Sequence, residues 1–156
     1  MHTACIGIGA NLGKPLEQCQ MALELIKKIP ETRLTVASSF YSSKPLLPEG
    51  AASEGIPLFV NAVCKIKTAF SPNALLGHLK RIEKEVGRKN RGKWASREMD
   101  LDVLFFDREI IQTETLEIPH PELHRRGFVL KPMNEIAPDW IHPVLGKTVA
   151  EMLESL

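Results

Sequence analysis

The sequence predicts an α+β domain of ferredoxin-like arrangement: a mainly antiparallel sheet, helices packed on its faces, and long loops of the kind that carry active sites. Three observations predict it. Segments of strand and helix character follow one another as β-α-β-loop-β-α-loop-β-β-tail. Each βαβ half can lay a helix on one face of the sheet, and the tail is expected to cover the other. The chain has 156 residues, of which 44% are hydrophobic and 25% charged, which suits a single domain over residues 1–156. The same balance excludes a disordered tail, a collagen and a small disulfide scaffold.

The first element, Thr3 to Gly9, reads as a buried strand that stops at its glycines. Pro15 then stands where a first helical residue can be proline. Leu16, Cys19, Ala22, Leu23, Ile26 and Ile29 recur at three or four, the period of a helix face, and Pro30 ends that helix. Leu34 to Tyr41 reads as a second strand. Residues 42–57 hold Pro45, Pro48, Pro57, Gly50 and Gly55 and read as a long loop, and loops beyond about 12–15 residues are usually functional or mobile. Leu58 to Ile66 reads as a third strand.

Ser71-Pro72 gives an N-cap followed by proline in the first turn, and Leu75, Leu79, Ile82 and Val86 fall on one helical face. Gly87 is placed to end that helix. Residues 88–97, polar and basic, read as a second long loop. Met99 to Phe106 is a fourth strand, and Asp107-Arg108 turn into a short strand, Glu109 to Gln112. Prolines 119, 121, 132, 138 and 143 punctuate the tail. Thr148 to Leu156 reads as a closing helix with Val149, Met152 and Leu153 inward.

Charge narrows the function classes. Lys and Arg number 20 against 19 Asp and Glu, so the formal charge is +1 and attraction to phosphate must come from local clustering. With 6 Phe, 2 Trp and 1 Tyr, an aromatic platform for nucleic acid is not expected. No apolar run reaches the ~20 residues that cross a bilayer, and no signal peptide is read at the N-terminus. Cys5, Cys19 and Cys64 match no zinc or redox spacing and read as buried thiols of a cytoplasmic protein.

The strongest chemical signal is Asp100-Leu101-Asp102 inside a strand. Alternation sends Asp100 and Asp102 to one face and Met99, Leu101 and Val103 to the other. Two carboxylates so placed, about 7 Å apart at Cα, can converge on a pair of divalent cations ~3.5–4 Å apart. An oxygen-only donor set favours magnesium or manganese. The alternative is a strand end whose acids meet neighbouring arginines as salt bridges. Lys80, Arg81, Lys84, Arg88, Lys89, Arg91, Lys93 and Arg97 precede the pair, with Glu83 and Glu85 among them. Such a run can be a solvated helix face and a charged loop. It can equally hold a triphosphate, with cations bridging phosphate oxygens and guanidinium forks taking charge from the leaving group. Trp94, set among these charges, is a poor core residue.

Two further stretches are weaker. Gly7-Ile8-Gly9-Ala10-Asn11-Leu12-Gly13 follows a strand and precedes a helix, but its third glycine falls one place late for a dinucleotide fingerprint and it lacks the Walker ending. A tight turn is the favoured reading over a phosphate cradle. Ile118-Pro119-His120-Pro121 with Arg125-Arg126-Gly127-Phe128 forms a second polar cluster whose value depends on what His120 approaches.

These residues resemble one family, 6-hydroxymethyl-7,8-dihydropterin pyrophosphokinase of folate biosynthesis. The matching stretches are Ile8 to Gly13, Ser38-Ser39-Phe40-Tyr41, Phe59-Val60-Asn61-Ala62, Ile82-Glu83 with Gly87-Arg88, and Trp94 and Arg97 leading to Asp100-Leu101-Asp102. Pro119-His120-Pro121, Arg126 to Leu130 and Ile136-Ala137-Pro138 complete the series in the family order. The resemblance implies transfer of the β,γ-diphosphate of ATP to the pterin hydroxymethyl oxygen, releasing AMP. It implies that Asp100 and Asp102 hold two magnesium ions and, with Arg88 and Arg97, form the catalytic set. It implies ATP contacts at Glu83, Arg91, Trp94, Arg97, His120 and Arg126. It implies that Phe59 and Phe128 sandwich the pterin while Asn61 reads its edge, with Ser43, Pro45 and Leu46 completing the site. The loop bearing Arg91 and Trp94 is expected to close over ATP. Trp94-Ala95-Ser96-Arg97-Glu98 departs from the frequent Trp-Gly-Pro-Arg-Thr, and Lys44 and Leu47 stand where Pro and Gly are frequent.

Two competing readings follow. A ferredoxin-like module could hold RNA through the basic loop and Trp94, although an acid pair on its sheet repels a phosphate backbone. A degenerate family member could bind pterin without catalysis, which the retained acids and arginines oppose. The expectation is a monomer acting on small molecules, with no nucleic-acid or membrane partner.

Overall fold

The computed structural model describes residues 1–11, 13–43, 59–91 and 99–156, and of residues 43 and 88–91 the backbone alone. The elements, in chain order, are β1 (His2–Ala10), α1 (Pro15–Lys27), β2 (Thr32–Ala37), β3 (Tyr41–Ser43), β4 (Phe59–Thr68), α2 (Pro72–Arg91), β5 (Met99–Phe106), β6 (Ile111–Gln112), β7 (Glu117–Ile118), a 3-10 turn at Leu123–Arg125, α3 (Gly127–Ile136) and α4 (Val149–Glu154). The main sheet runs β2-β4-β1-β5, every neighbour antiparallel, with β3 also on β4. Two interleaved βαβ units produce that order, which is the ferredoxin-like arrangement.

The sheet separates two apolar layers. Even positions of β1 and β4 (Ala4, Ile6, Ile8; Ala62, Cys64, Ile66) and Met99, Leu101 and Val103 of β5 meet Cys19, Ala22 and Ile26 of α1 and Leu75, Leu79, Ile82 and Val86 of α2. On the opposite face Cys5, Val63, Leu104 and Phe105 meet Leu130 and Met133 of α3 and Val149 and Met152 of α4. The tail therefore covers the second face, as the sequence predicts, but only at the end of the sheet near Cys5 and Val63. The other end of that face carries Gly9, Asn61, Asp100 and Asp102.

Several expectations are corrected. The strand expected over Leu34 to Tyr41 breaks at residues 38–40. There Ser38 bonds to Val63 through its backbone N–H (2.8 Å) and accepts the Val63 N–H at its hydroxyl (2.9 Å). Gly87 does not end α2, which continues to Arg91, so the first four residues of the expected second loop are helical. A mid-helix glycine costs only about 1 kcal/mol, and the neighbours Arg88, Lys89 and Arg91 are good helix formers. Gly7 and Gly9 lie within β1, as the strand expected over Thr3 to Gly9 has it, and the turn expected from the glycine run falls at Gly13, φ 68°. Leu16, expected to face inward, is exposed. The strand expected from Glu109 is confined to Ile111–Gln112.

α3 was not expected. Val129, Leu130, Met133 and Ile136 give it an apolar face, but Pro132 sits inside it. A proline in a helix interior costs about 3 kcal/mol, and the packing of this face overrides that. α4 opens with a reciprocal capping box, Thr148 accepting the Glu151 N–H at 3.1 Å and Glu151 accepting the Thr148 N–H at 2.9 Å.

Candidate functional site

Strand alternation and register assemble the site. Gly9 of β1 stands opposite Asn61 of β4 on one side and Asp100 of β5 on the other, and Gly7 stands opposite Asp102. Tyr41 of β3 pairs with Asn61 and Ser43 with Phe59. Directly paired residues share a face, so Phe59, Asn61, Gly9, Asp100 and Asp102 line one surface, the half left open by α3 and α4. The glycines make its floor. A Cβ on Gly9 would lie 2.9 Å from Asn61 Oδ1, so the amide occupies space that only glycine leaves free.

β5 is an edge strand of the sheet, and Glu83 of α2 secures it. The Leu101 N–H, between the two aspartates, donates to Glu83 Oε2 at 2.7 Å, while Lys80 Nζ lies 3.5 Å from Glu83 Oε1. Desolvation raises the Glu83 pKa above the ordinary carboxylate value; the Leu101 N–H and Lys80 oppose that, and Asp100 adds to it. The alternation that turns both aspartates outward holds through Val103. A bulge then breaks it, since Ile6 pairs with Val103 but Cys5 with Phe105, and Leu104 and Phe105 both join the second apolar layer.

Asp102 is open to water, yet flanking protein strips enough solvent to raise its pKa, and the Asp100 charge raises it further. His120, Lys80 and Arg126 act in the opposite sense. His120 reaches this neighbourhood because its backbone N–H donates to Leu104 O at 3.0 Å, docking the segment after β7 against β5. Burial lowers the His120 pKa; Asp102 raises it, Arg126 lowers it, and Glu117 and Glu122 raise it. Four polar groups from four segments, Asp102, His120, Arg126 and Lys80, thus share one field, and a phosphate-bearing ligand suits the cations among them.

Two aromatic rings border the site. Phe59, at the start of β4, is 38% exposed and Phe128, in the first turn of α3, 46% exposed, high values for phenylalanine. The Arg126 guanidinium carbon lies 5.6 Å from the centre of the Phe128 ring, a cation–π contact. Of the other residues singled out in the sequence, Arg88 and Arg91 have only their backbone described, in the last turns of α2, and Ser43 only its backbone, in β3. Pro45, Leu46, Trp94 and Arg97 lie outside the described residues.

The carboxylate pair fits a magnesium-type cation shared with a ligand. Both acids are oxygen donors on one exposed face, and their mutual repulsion is relieved by positive charge. Among the described residues no group of three or more His, Cys, Asp or Glu could enclose a metal. A cation held by the two aspartates would take its remaining ligands from water and from a bound phosphate, the usual habit of magnesium.

Four contributors carry no clear signal in the sequence. Gly9 reads as a strand end, Ser39 and Tyr41 read as parts of one continuous strand, and Glu135 is marked only by adjoining Ile136-Ala137-Pro138. Glu135 Oε1 accepts from the Tyr41 hydroxyl at 2.6 Å, and its carboxylate accepts the Ser39 N–H at 3.0 Å and the Ser39 hydroxyl at 3.0 Å.

Comparison with known proteins finds relatives over most of the chain. Residues 5–138 match the family model for 7,8-dihydro-6-hydroxymethylpterin-pyrophosphokinase. A Haemophilus influenzae protein named 2-amino-4-hydroxy-6-hydroxymethyldihydropteridine pyrophosphokinase is 48% identical over 143 residues, covering 92% of this chain and 86% of the relative. An Aquifex aeolicus protein of the same name is 39% identical over 151 residues, covering 97% and 90%. Among solved structures, the wild-type HPPK-DHPS of Plasmodium falciparum matches 99% of this chain with a TM-score of 0.73 at 16% identity, which supports the fold alone. The present chain spans 44% of that longer one.

Proposed function

The chain belongs to the 7,8-dihydro-6-hydroxymethylpterin-pyrophosphokinase family, and on that premise we propose how its residues divide the work. It is an ATP-dependent diphosphotransferase of folate biosynthesis, acting on 6-hydroxymethyl-7,8-dihydropterin. The hydroxymethyl oxygen attacks the β-phosphorus of ATP and loses its proton, the bond from that phosphorus to the α-bridging oxygen breaks, and AMP leaves.

The observation that carries the residue assignment is the row Phe59, Asn61, Gly9, Asp100, Asp102 across three paired strands. Its β4 end is aromatic and amide-bearing, suited to a flat heterocycle; its β5 end is acidic, suited to cation-bound phosphate. Asp100 and Asp102 would hold two magnesium ions, which when bound neutralise phosphate charge and align the reacting groups. Asn61 hydrogen-bonds the pterin edge, and Phe59 and Phe128 cover its two faces, with Ser43, Pro45 and Leu46 as further contacts. His120 and Arg126 receive phosphate oxygens beside Asp102, and Glu83, Arg88, Arg91, Trp94 and Arg97 complete the nucleotide side. The three cysteines, free and buried, accord with work in a reducing cytoplasm.

A single-turnover mixture of protein, ATP, magnesium and 6-hydroxymethyl-7,8-dihydropterin tests the reading. AMP forms in step with the pterin diphosphate; ADP as the nucleotide product, or no nucleotide product, overturns it. Two further results are expected. Gly9→Ala pushes the Asn61 amide aside and raises the pterin KM about tenfold, the scale of one lost buried hydrogen bond, while the affinity for an ATP analogue stays unchanged; an unmoved KM detaches Asn61 from the pterin. Protons and cations compete for Asp102. Because its pKa is raised, the magnesium-dependent affinity for a non-hydrolysable ATP analogue climbs with pH until that raised value is passed and then levels off. Calorimetry from acid to neutral pH reads this, and loss of the climb in Asp102→Asn assigns it.

A further inference from the structure

The Glu135 carboxylate, near the end of α3, gathers three donors from Ser39, in the segment that joins β2 to β3, and from Tyr41, the first residue of β3. The Tyr41 hydroxyl donates at 2.6 Å, the Ser39 N–H at 3.0 Å and the Ser39 hydroxyl at 3.0 Å. These bonds lie on the surface. Glu135 and Ser39 are exposed and Tyr41 is half-exposed, so the cluster contributes nothing to either apolar layer. The Tyr41 hydroxyl bond and the Ser39 bonds hold the Glu135 carboxyl below its ordinary pKa, and the same contact raises that of Tyr41. The carboxylate is therefore ionised across the neutral range and accepts charge-assisted bonds.

What the clamp joins is more telling than its strength. Phe128 and Glu135 are seven residues apart on α3, two turns along one helix face. Tyr41 and Ser43 of β3 stand opposite Asn61 and Phe59. β3 is only three residues long and its N-terminal connection is the irregular 38–40 segment. One carboxylate thus ties the helix that carries one aromatic ring to the short strand beside the other ring and the amide.

We infer that Glu135 is a positioning residue for the pterin site, acting through Tyr41 and Ser39 to fix the spacing between Phe128 on one side and Phe59 and Asn61 on the other. The inference rests on the assignment of those three residues to the pterin. A stacked ring tolerates little error in wall separation, since opening a gap of 0.5–1 Å already forfeits roughly a quarter to a half of each dispersion contact. The acid pair and His120 are carried by other elements, so of the phosphate contacts beside Asp102 only Arg126, which caps the far end of α3, shares the clamped helix.

The test compares Glu135→Ala, Glu135→Gln, Tyr41→Phe, the double variant Glu135→Ala/Tyr41→Phe, and Phe128→Ala in the full chain. Steady-state assays give the pterin KM, and calorimetry gives the affinity for a non-hydrolysable ATP analogue. Glu135→Ala should raise the pterin KM about tenfold, the scale of losing charge-assisted bonds at a partly exposed site, with kcat and ATP-analogue affinity within about twofold. Glu135→Gln, which keeps an acceptor oxygen, should recover part of that loss. Tyr41→Phe should raise the KM alone but add nothing on the Glu135→Ala background, because the partner is already gone. A pterin KM unmoved in Glu135→Ala, or equal losses for pterin and nucleotide, would overturn the inference while Phe128→Ala still weakens pterin binding. If Phe128→Ala leaves the pterin KM unchanged, the assignment of the pterin walls fails first and the inference falls with it.

Discussion

Asp100→Ala or Asp102→Ala lowers single-turnover AMP formation by about a thousandfold or more, because positioned cations contribute several kcal/mol and each ~1.4 kcal/mol is a factor of ten in rate. The fold survives the change. Both side chains are exposed on an edge strand. The thermal midpoint of either variant, taken without ligands, is expected to equal or exceed that of the parent. The sign follows from linkage. Burial and the Asp100 charge raise the Asp102 pKa, so the folded protein holds this proton more firmly than the unfolded chain. Asp102 therefore lowers stability as pH rises from the ordinary carboxylate range through its raised value, and the deficit persists above it. Removing either acid removes part of that repulsion. A site that is uncomfortable when empty is what a cation-dependent site requires, and activity and stability then respond in opposite directions. Asp102→Asn keeps the shape and removes the charge; turnover near normal at saturating magnesium in that variant excludes the carboxylate from the mechanism.

The acid pair was legible in the sequence because strand alternation is a local rule. Met99 to Phe106 was bounded correctly, and the apolar residues at 99, 101 and 103 forced Asp100 and Asp102 to the opposite face. The same rule fails at Phe105. The bulge at Leu104 depends on pairing with Cys5 and Ile6, nearly a hundred positions away, and a single strand read alone carries no trace of it. The role of Gly9 is hidden for a related reason. In isolation a glycine-rich run reads as a turn; its use as floor space under Asn61 exists only once β4 lies beside β1. Pro132 concealed α3 because proline is the strongest local signal against a helix, while the packing of Leu130 and Met133 that outweighs it is tertiary. Gly87 misled in the opposite direction. It was read as a stop, yet a glycine ends a helix only where the chain turns left-handed, and Gly87 stays within α2. His120 and Arg126 were visible as polar residues, but their approach to Asp102 is set by the bond from His120 N–H to Leu104 O.

Asn61→Ala weakens pterin binding by one to two orders of magnitude. A buried polar edge left without its partner loses about 1–3 kcal/mol of desolvation, and the pterin edge that faces Asn61 presents donors and acceptors together. An amide is the side chain that can meet both kinds at once, and the register that pairs Asn61 with Gly9 on one side and Tyr41 on the other leaves it one direction to point, along the open face. Asn61→Asp separates hydrogen-bond matching from volume: it keeps the size and one acceptor but replaces the donor with a charge, so it should bind no better than the alanine variant. Phe59→Ala and Phe128→Ala act on the ring faces. Each costs the stacking contribution of about 0.5–1.5 kcal/mol on top of the buried area, so each loss is of the same order as that of Asn61→Ala. Phe128→Ala carries a second loss, because the Arg126 guanidinium rests 5.6 Å from that ring. Phe128→Ala should therefore disturb nucleotide affinity slightly where Phe59→Ala leaves it alone, and Phe128→Leu, which restores bulk without a π face, should not recover it. Calorimetry with a non-hydrolysable ATP analogue, alone and then with pterin, reads both affinities in one series. Equal losses for pterin and nucleotide in Asn61→Ala, or an Asn61→Asp variant that binds pterin as the parent does, would remove the amide from recognition and leave the two rings as the whole of the pterin site.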